Sequence, residues 1–235
     1  MILYFIRHGK PDYETDTLTP EGILQAKAAS DRMVKSAPDV IFATCHGRAQ
    51  ETAYYTAQKL GLPINVEQWA KELSEESKTE YPDGIKKSVA HIDPALLIKP
   101  SSDGYTAAQS LEKTEAFGDG LRKKYAQISE GIDDLLSRLG YERNENGHYD
   151  CTGEKYGKVA FFCHAGLTRM FVSHILNIPY HYLASTGMAS YTGITVLHFE
   201  AVCDTLPRLL SYGDVGHLHS HGLDAYNTNE EEIKF

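Results

Sequence analysis

The chain begins with the stretch MILYFIRHGK, residues 1–10, in which an apolar run leads directly into Arg7, His8 and Gly9. Residues 2–6 are apolar throughout, which is typical of a strand covered on both faces of a sheet. A strand that only had to return to water could end on any polar residue. Two side chains that can carry positive charge, followed by a glycine that allows close approach to the backbone, indicate a ligand site at this strand end.

Strands and helices alternate after this first strand. A helix is predicted from Thr19, a suitable N-cap, and Pro20, which suits the first helical position. A second helix is predicted over 47–60, closed by Gly61, and a third from Ala165 to Pro179. Further strands are predicted at 39–44, 64–68, 158–164, 193–200 and 207–212. This succession predicts an α/β fold, a three-layer sandwich in which a mostly parallel sheet carries helices on both faces.

The middle of the chain is more polar and contains the turn signals YPDG at 81–84 and IKPSSDG at 98–104. Within it, apolar residues recur at helical spacing: Leu121, Tyr125, Ile128, Ile132, Leu135 and Leu139. We expect this stripe to pack onto the sheet; a coiled-coil dimer is the alternative. The chain is thus predicted to be a single domain, residues 1–235, with a helical insertion at about 72–157 that caps the pocket.

Composition excludes several classes of function. The net charge of -9 argues against nucleic acid or an anionic membrane as the main partner, since both require a basic surface. The four cysteines show neither a CxxC pair nor zinc-ligand spacing, so we expect reduced thiols. The first apolar run is too short for a signal peptide, and no segment approaches the ~20 apolar residues of a membrane span. We therefore expect a cytoplasmic protein.

Cationic side chains occur at three positions where ligands bind to open parallel sheets, beyond the carboxyl ends of strands. Arg7 and His8 end the first strand, His164 ends the strand at 158–164, and Arg48 lies in the first turn of the helix after the second strand. Arginine matches phosphate oxygens bidentately, and the helix that starts after His164 offers free N–H groups. Each residue alone is a weak signal, but together they predict a phosphate pocket.

The chain resembles the histidine phosphatase superfamily, whose best-known branch is cofactor-dependent phosphoglycerate mutase. The resemblance rests on five segments in the family's order and spacing: FIRHG at 5–9, LTPEGILQA at 18–26, RAQETA at 48–53, FFCHAGLTR at 161–169 and GDVGHL at 213–218. It implies a phosphatase that requires no metal or other cofactor and hydrolyses a phosphomonoester.

The resemblance also implies roles for the residues of the pocket. His8 would attack phosphorus to form a phosphohistidine, a role that histidine can fill when its attacking nitrogen is neutral. Arg7, Arg48 and His164 would bind the phosphoryl oxygens and stabilise the charge of the transition state. The backbone N–H of Ala165 would add a further donor.

The family supplies a general acid from a carboxyl group shortly after the third strand. Here the candidates are Glu72, Glu75 and Glu76, and the family pattern favours Glu72. A carboxyl group donates a proton near neutral pH only where burial or nearby negative charge raises its pKa. We expect Trp69 and Leu73 to provide apolar cover.

The chain departs from the family pattern in two places. Residues 10–14, KPDYE, lack the usual Asn, and ATCHG at 43–47 replaces the common Ser-Ser-Pro and brings His46 to the rim of the pocket. No set of residues matches the task of rebinding a phosphoglycerate intermediate, so hydrolysis is favoured and mutase-type phosphoryl transfer is the alternative. The expected substrate is a small phosphorylated metabolite, with these residues of the insertion as candidate contacts: Lys71, Lys78, Lys86, Lys87, Tyr81 and Tyr105.

Two further alternatives come from other classes. HLHSH places His217, His219 and His221 at alternate positions, and three histidines on one face of a strand could bind zinc in a metal-dependent hydrolase. A protein with an intact phosphate pocket could also be a non-catalytic binding module. A homodimer is possible, whereas nucleic acid and membrane are not expected as partners.

Overall fold

The computed structural model describes residues 1–73, 78–80, 86–87, 107–114, 117–187 and 190–224. The turns predicted at 81–84 and 98–104 lie outside these residues, as do Glu75, Glu76, Tyr81 and Tyr105. The strands of the described chain are β1 (Ile2–Arg7), β2 (Pro11–Asp12), β3 (Thr17–Leu18), β4 (Val40–Thr44), β5 (Ile64–Glu67), β6 (Thr79–Glu80), β7 (Lys86–Lys87), β8 (Tyr141–Arg143), β9 (Tyr149–Cys151), β10 (Lys158–Cys163), β11 (Ile194–His198) and β12 (Arg208–Asp214).

The helices of the described chain are α1 (Pro20–Ser36), α2 (Gly47–Leu60), α3 (Ala107–Lys113), α4 (Asp119–Arg138), α5 (Ala165–Ile175), α6 (Tyr180–Thr186) and α7 (Gly216–Ser220). None of these helices is both long enough and apolar enough to cross a bilayer. Thr19 caps α1 as predicted, since its side chain accepts the N–H of Gly22 at 3.1 Å. Gly61 ends α2 in the left-handed conformation, φ 66°, that glycine adopts without strain.

A six-stranded sheet in the order β12-β11-β1-β10-β4-β5 forms the centre of the fold. β1, β10, β4 and β5 are mutually parallel, whereas β11 runs antiparallel to both β1 and β12. In the pairing of β1 with β10, Phe5 is opposite Phe161 and Arg7 is opposite Cys163. This register brings His8 and His164, the next residues along each strand, to the same edge of the sheet.

The two faces of the sheet contribute to separate apolar clusters. Leu3 and Phe5 of β1 pack in a cluster with α4 and α5, whereas Ile6 packs with Met33 of α1 and Ala53 of α2. This alternation is what a strand with helices on both sides requires. The predicted three-layer α/β sandwich with a mostly parallel sheet is confirmed.

The apolar stripe of the long helix lies against the sheet. All six predicted residues are at most 5% exposed: Leu121, Tyr125, Ile128, Ile132, Leu135 and Leu139. They share one cluster with Phe161 of β10 and Phe171 of α5. The coiled-coil alternative is therefore wrong, because the stripe is already buried within its own chain. This part of the predicted insertion belongs to the main core.

The helix that follows His164 is shorter than predicted. It ends at Ile175, with Leu176 as its C-cap, rather than at Pro179. Pro179 instead directly precedes α6. A proline fits this position, because the N–H that it lacks has no partner at the start of a helix.

We predict that Leu135→Ala lowers the free energy of unfolding by about 2–5 kcal/mol, because it removes buried methyl groups from the core between α4 and the sheet. Leu24→Ala in α1, where the side chain is 52% exposed, is the matched control and should change stability by no more than about 0.5 kcal/mol. Urea denaturation measures both values. Equal losses in the two variants would contradict this packing of α4.

Candidate active site

Four of the predicted side chains meet at the carboxyl edge of the sheet. Arg7, His8, Arg48 and His164 are 9, 2, 8 and 0% exposed, respectively. The ring centroids of His8 and His164 are 5.1 Å apart, and Nη2 of Arg48 lies 3.3 Å from Nδ1 of His164. The structure thus brings together residues from β1, α2 and the start of α5, as the sequence predicted.

The hydrogen bond of His8 assigns its tautomer. Nδ1 lies 2.7 Å from the carbonyl oxygen of Gly9, which can only accept, so the proton is on Nδ1 and Nε2 carries the lone pair. Burial, followed by the charge of Arg7, lowers the pKa of His8 well below 6.5. The side chain is therefore a buried neutral imidazole with Nε2 free to act as a nucleophile.

His164 is held in the opposite tautomer. The guanidinium of Arg48 can only donate, so Nδ1 of His164 accepts and Nε2–H donates to the Thr44 hydroxyl at 2.9 Å. Burial, followed by the repulsion that a protonated His164 would meet from a protonated His8 and from Arg48, lowers the pKa of His164 well below 6.5. Two neutral imidazoles next to two guanidiniums limit the repulsion within this buried cluster.

Asp16 is a component of the site that the sequence did not reveal. Its Oδ1 accepts from Nη1 of Arg48, and its Oδ2 accepts the N–H of Gly47 at 2.7 Å. Burial acts to raise the pKa of Asp16, but the hydrogen bonds from Gly47 and Arg48 outweigh burial and lower it. The carboxylate fixes the guanidinium of Arg48 and neutralises part of its charge. In the sequence, Asp16 lies two residues after the stretch at 10–14 that departs from the family pattern.

Tyr191 is a second residue that sequence reasoning missed. The guanidinium carbon of Arg7 lies 4.1 Å from the centroid of the Tyr191 ring, within the range of a cation–π interaction. The backbone N–H of Arg7 donates to the carbonyl of Gly193 at 3.1 Å. The loop before β11 thereby orients Arg7. No local sequence motif predicts these contacts.

Gly9 has a structural role that the sequence did not indicate. A Cβ at this position would lie 2.6 Å from the carbonyl oxygen of Gly22 in α1. Close approach of the α1 backbone therefore requires glycine at this position, and the expected approach of a ligand stays a prediction. The N–H of Gly9 donates to the hydroxyl of Thr52 at 3.0 Å, which ties the end of β1 to α2.

Glu72 lies beside the N-terminus of α5. Its Oε2 accepts the N–H of Gly166 at 3.3 Å, and its Oε1 accepts the N–H of Leu73 at 2.8 Å. Leu73 packs over Gly166, whereas the expected cover from Trp69 is directed to the core, where the ring meets Phe161. Ala165 is the first residue of α5, and its N–H is one of those without a partner inside the helix.

His46 lies beside the cluster and is half-buried, as expected of a residue at the rim of the pocket. Its ring stands edge-on to His164 at a centroid distance of 4.8 Å, and its Nδ1 lies 3.4 Å from Nη1 of Arg48. It is the N-cap residue of α2, which places it two positions before Arg48. His46 follows the end of β4 by two residues, and its ring lies beside His164 and Arg48 of the predicted phosphate pocket.

The candidate zinc ligands do not share one face of a strand. They lie in and after the short helix α7: Nε2 of buried His217 is 2.9 Å from the Thr192 hydroxyl, and His221 bonds Asp31. In the part of the chain that the structure describes, no group of three His, Cys, Asp or Glu side chains is arranged to hold a metal ion. The strand interpretation of HLHSH is wrong.

The lysines of the insertion remain candidate substrate contacts. Lys71 and Lys86 are exposed and Lys78 is half-buried, whereas the side chain of Lys87 is outside the described residues. Their predicted role toward an anionic substrate stays a prediction.

A mixed α/β sheet with two arginines and two histidines at its carboxyl edge, next to a helix N-terminus, defines a protein of the phosphoryl-transfer class. The model of the histidine phosphatase superfamily (branch 1) matches residues 3–130, and the chain belongs to this superfamily. Membership identifies it as a phosphatase or mutase-type enzyme.

Solved structures share the fold at low sequence identity. Phosphoserine phosphatase from Entamoeba histolytica, in complex with 3-phosphoglyceric acid, is 19% identical with a TM-score of 0.60 and covers 92% of this chain and 98% of its own. Mycobacterial glucosyl-3-phosphoglycerate phosphatase is 19% identical, TM-score 0.57, with 90% and 98% covered. The α-ribazole phosphatase of Shigella flexneri is 15% identical, TM-score 0.59, with 92% and 97% covered. No curated protein matches the chain.

We predict that the imidazoles of His8 and His164 titrate below pH 6.5 in the free protein, because burial and the neighbouring guanidiniums favour their neutral forms. His221 should titrate above 6.5, since the His217 carbonyl and Asp31 accept from its ring and raise its pKa. NMR of the ring C–H resonances across pH 4–8, assigned with single His→Asn variants, measures all three groups. A midpoint for His8 at or above that of His221 would contradict the geometry.

Proposed function

We propose that this protein hydrolyses a phosphomonoester through a phosphohistidine formed on His8, without a metal ion. The observation that carries the proposal is the hydrogen bond from Nδ1–H of His8 to the Gly9 carbonyl. This hydrogen bond leaves the lone pair on Nε2. The guanidiniums of Arg7 and Arg48 in the same cluster provide the positive charge that attracts a phosphate dianion.

In the first step, Nε2 of His8 attacks phosphorus while the bond between phosphorus and the ester oxygen breaks. The electron pair of that bond leaves with the alkoxide oxygen, and the carboxylic acid of Glu72 protonates it. Arg7 and Arg48 compensate the charge on the phosphoryl oxygens, aided by the N–H of Ala165. Support for Glu72 comes from the position of its carboxyl group, which accepts the N–H of Gly166 in the first turn of α5, two residues after His164.

In the second step, water attacks phosphorus and the bond to Nε2 breaks. The carboxylate of Glu72 accepts the proton of the water, and the electron pair returns to Nε2, which restores the neutral imidazole. The phosphoryl charge favours a protonated His164, because an opposite charge at close range raises the pKa of an imidazole. His164 can then donate from Nδ1, the nitrogen that faces the cluster and Arg48.

The named solved structures are phosphatases of small phosphorylated compounds, which supports a small phosphorylated metabolite as the substrate. Support for hydrolysis over mutase-type transfer comes from the same names and from the departures from the family pattern at residues 10–14 and 43–47.

We predict that the protein releases inorganic phosphate from glycerol phosphate and from p-nitrophenyl phosphate, and that His8→Ala reduces both rates to background, because the attacking nitrogen is removed. His219→Ala, on an exposed position of α7, is the matched control and should retain the wild-type rate. Turnover should be the same before and after treatment with EDTA.

Three outcomes would contradict the proposal: activity of His8→Ala close to that of the wild type, loss of activity with EDTA, or conversion of 3-phosphoglycerate to its isomer in place of phosphate release. A panel of phosphorylated metabolites, with His8→Ala as the blank, then identifies the preferred substrate.

A further inference from the structure

His46 stands between the two halves of the site. Its ring contacts His164 edge-on at 4.8 Å and lies 3.4 Å from a guanidinium nitrogen of Arg48. On its other side, its Nε2 lies 3.4 Å from the backbone nitrogen of Glu72. One side chain thus joins the start of α2, which carries Arg48, to the segment after β5, which carries the candidate general acid.

The partners of His46 assign its tautomer. Two N–H donors face the ring at 3.4 Å, the backbone N–H of Glu72 at Nε2 and Nη1 of Arg48 at Nδ1, and a neutral imidazole accepts only one of them. Because Nη1 of Arg48 already donates to Oδ1 of Asp16, we assign the lone pair to Nε2 and the ring proton to Nδ1. The acceptor on the Nδ1 side is Oδ2 of Asp16 at 3.7 Å, the same carboxylate that holds Arg48. Burial, followed by the charge of Arg48, lowers the pKa of His46, so the ring keeps the neutral form that this arrangement requires.

The segment that carries Glu72 lies outside the regular secondary structure. After β5 ends at Glu67, the chain leaves the sheet, and Glu72 no longer belongs to a strand or helix. Its carboxyl group reaches the N–H of Gly166 at 3.3 Å, whereas its backbone is tied to α2 through His46. A shift of this segment would move the carboxyl group away from the place where the ester oxygen leaves.

We propose that His46 is a positioning residue that holds Glu72 beside the phosphate pocket by accepting its backbone N–H. The proposal rests on the function proposed above for Glu72. It assigns a function to His46 within ATCHG at 43–47, the segment that replaces the family's Ser-Ser-Pro. His46 makes no side-chain capping bond to α2, so its substitution removes no helix cap.

The test separates positioning of the acid from binding of the phosphate. Glycerol phosphate releases an alkoxide that needs a proton, whereas p-nitrophenyl phosphate releases a stable anion that does not. A displaced Glu72 therefore slows the first ester much more than the second. A disturbed Arg48 or His164 would slow both, because both esters present the same phosphoryl group.

Three variants of His46 distinguish the contact at Nε2 from the contact at Nδ1 and from the volume of the ring. Leu fills a similar volume without an acceptor; Asn offers polar atoms near the position of Nδ1; Gln can place its oxygen near the position of Nε2. We expect His46→Leu and His46→Asn to lower kcat for glycerol phosphate about tenfold or more and kcat for p-nitrophenyl phosphate less than about threefold, since a misplaced catalytic group costs up to 10²-fold. His46→Gln should restore glycerol phosphate hydrolysis to within about threefold of wild type.

A double-variant cycle completes the experiment. In a Glu72→Gln background, which lacks the acid, His46→Leu should cause no further loss with glycerol phosphate. Four results would each overturn this role of His46. In the single variants these are an equal loss of kcat on both esters, no loss of kcat on either ester, or a His46→Gln variant as slow as His46→Leu. In the cycle it is a loss of kcat from His46→Leu that adds to the loss from Glu72→Gln. A wild-type protein that hydrolyses neither ester would overturn the proposed function itself, whereas active wild type with unaffected His46 variants overturns only the positioning role.

Discussion

The parallel pairing of β1 with β10 is the constraint on which the site depends. The register that sets Arg7 opposite Cys163 delivers the next residues, His8 and His164, side by side at the edge of the sheet. The N–H of His8 donates to the carbonyl of Cys163 at 3.0 Å, so this pairing continues to the first histidine of the site. A slip of one residue would exchange the two faces of β1 and separate the rings, because successive side chains point to opposite sides of a strand.

Electrostatics explains why this cluster is compatible with a stable fold. Burying two guanidiniums and two imidazoles is costly unless charge is removed or compensated. Both imidazoles are kept neutral, Asp16 compensates Arg48, and the ring of Tyr191 faces Arg7. The remaining positive charge belongs to the arginines, which are the residues expected to bind phosphate. The overall charge of -9 therefore does not describe the site.

Local patterns predicted the fold and the four central residues because each lies at the end or start of an element. Strand and helix periodicity, the Thr19 cap and the apolar stripe from Leu121 to Leu139 are short-range signals, and the structure confirms them. Asp16 and Tyr191 could not be found in this way, since they lie in loops and meet the arginines only through tertiary contacts. The contact of Gly9 with the α1 backbone could not be predicted, because a glycine that a helix approaches and a glycine that a ligand approaches look the same in the sequence.

The central claim is that the imidazole of His8 accepts the phosphoryl group from the substrate. The most direct measurement is rapid quenching of turnover with an ester labelled with ³²P, followed by digestion at alkaline pH and mapping of the labelled peptide. We expect an acid-labile label on the peptide that contains His8, because a phosphorus–nitrogen bond is labile in acid. An acid-stable label, or an acid-labile label on a peptide without His8, would contradict it.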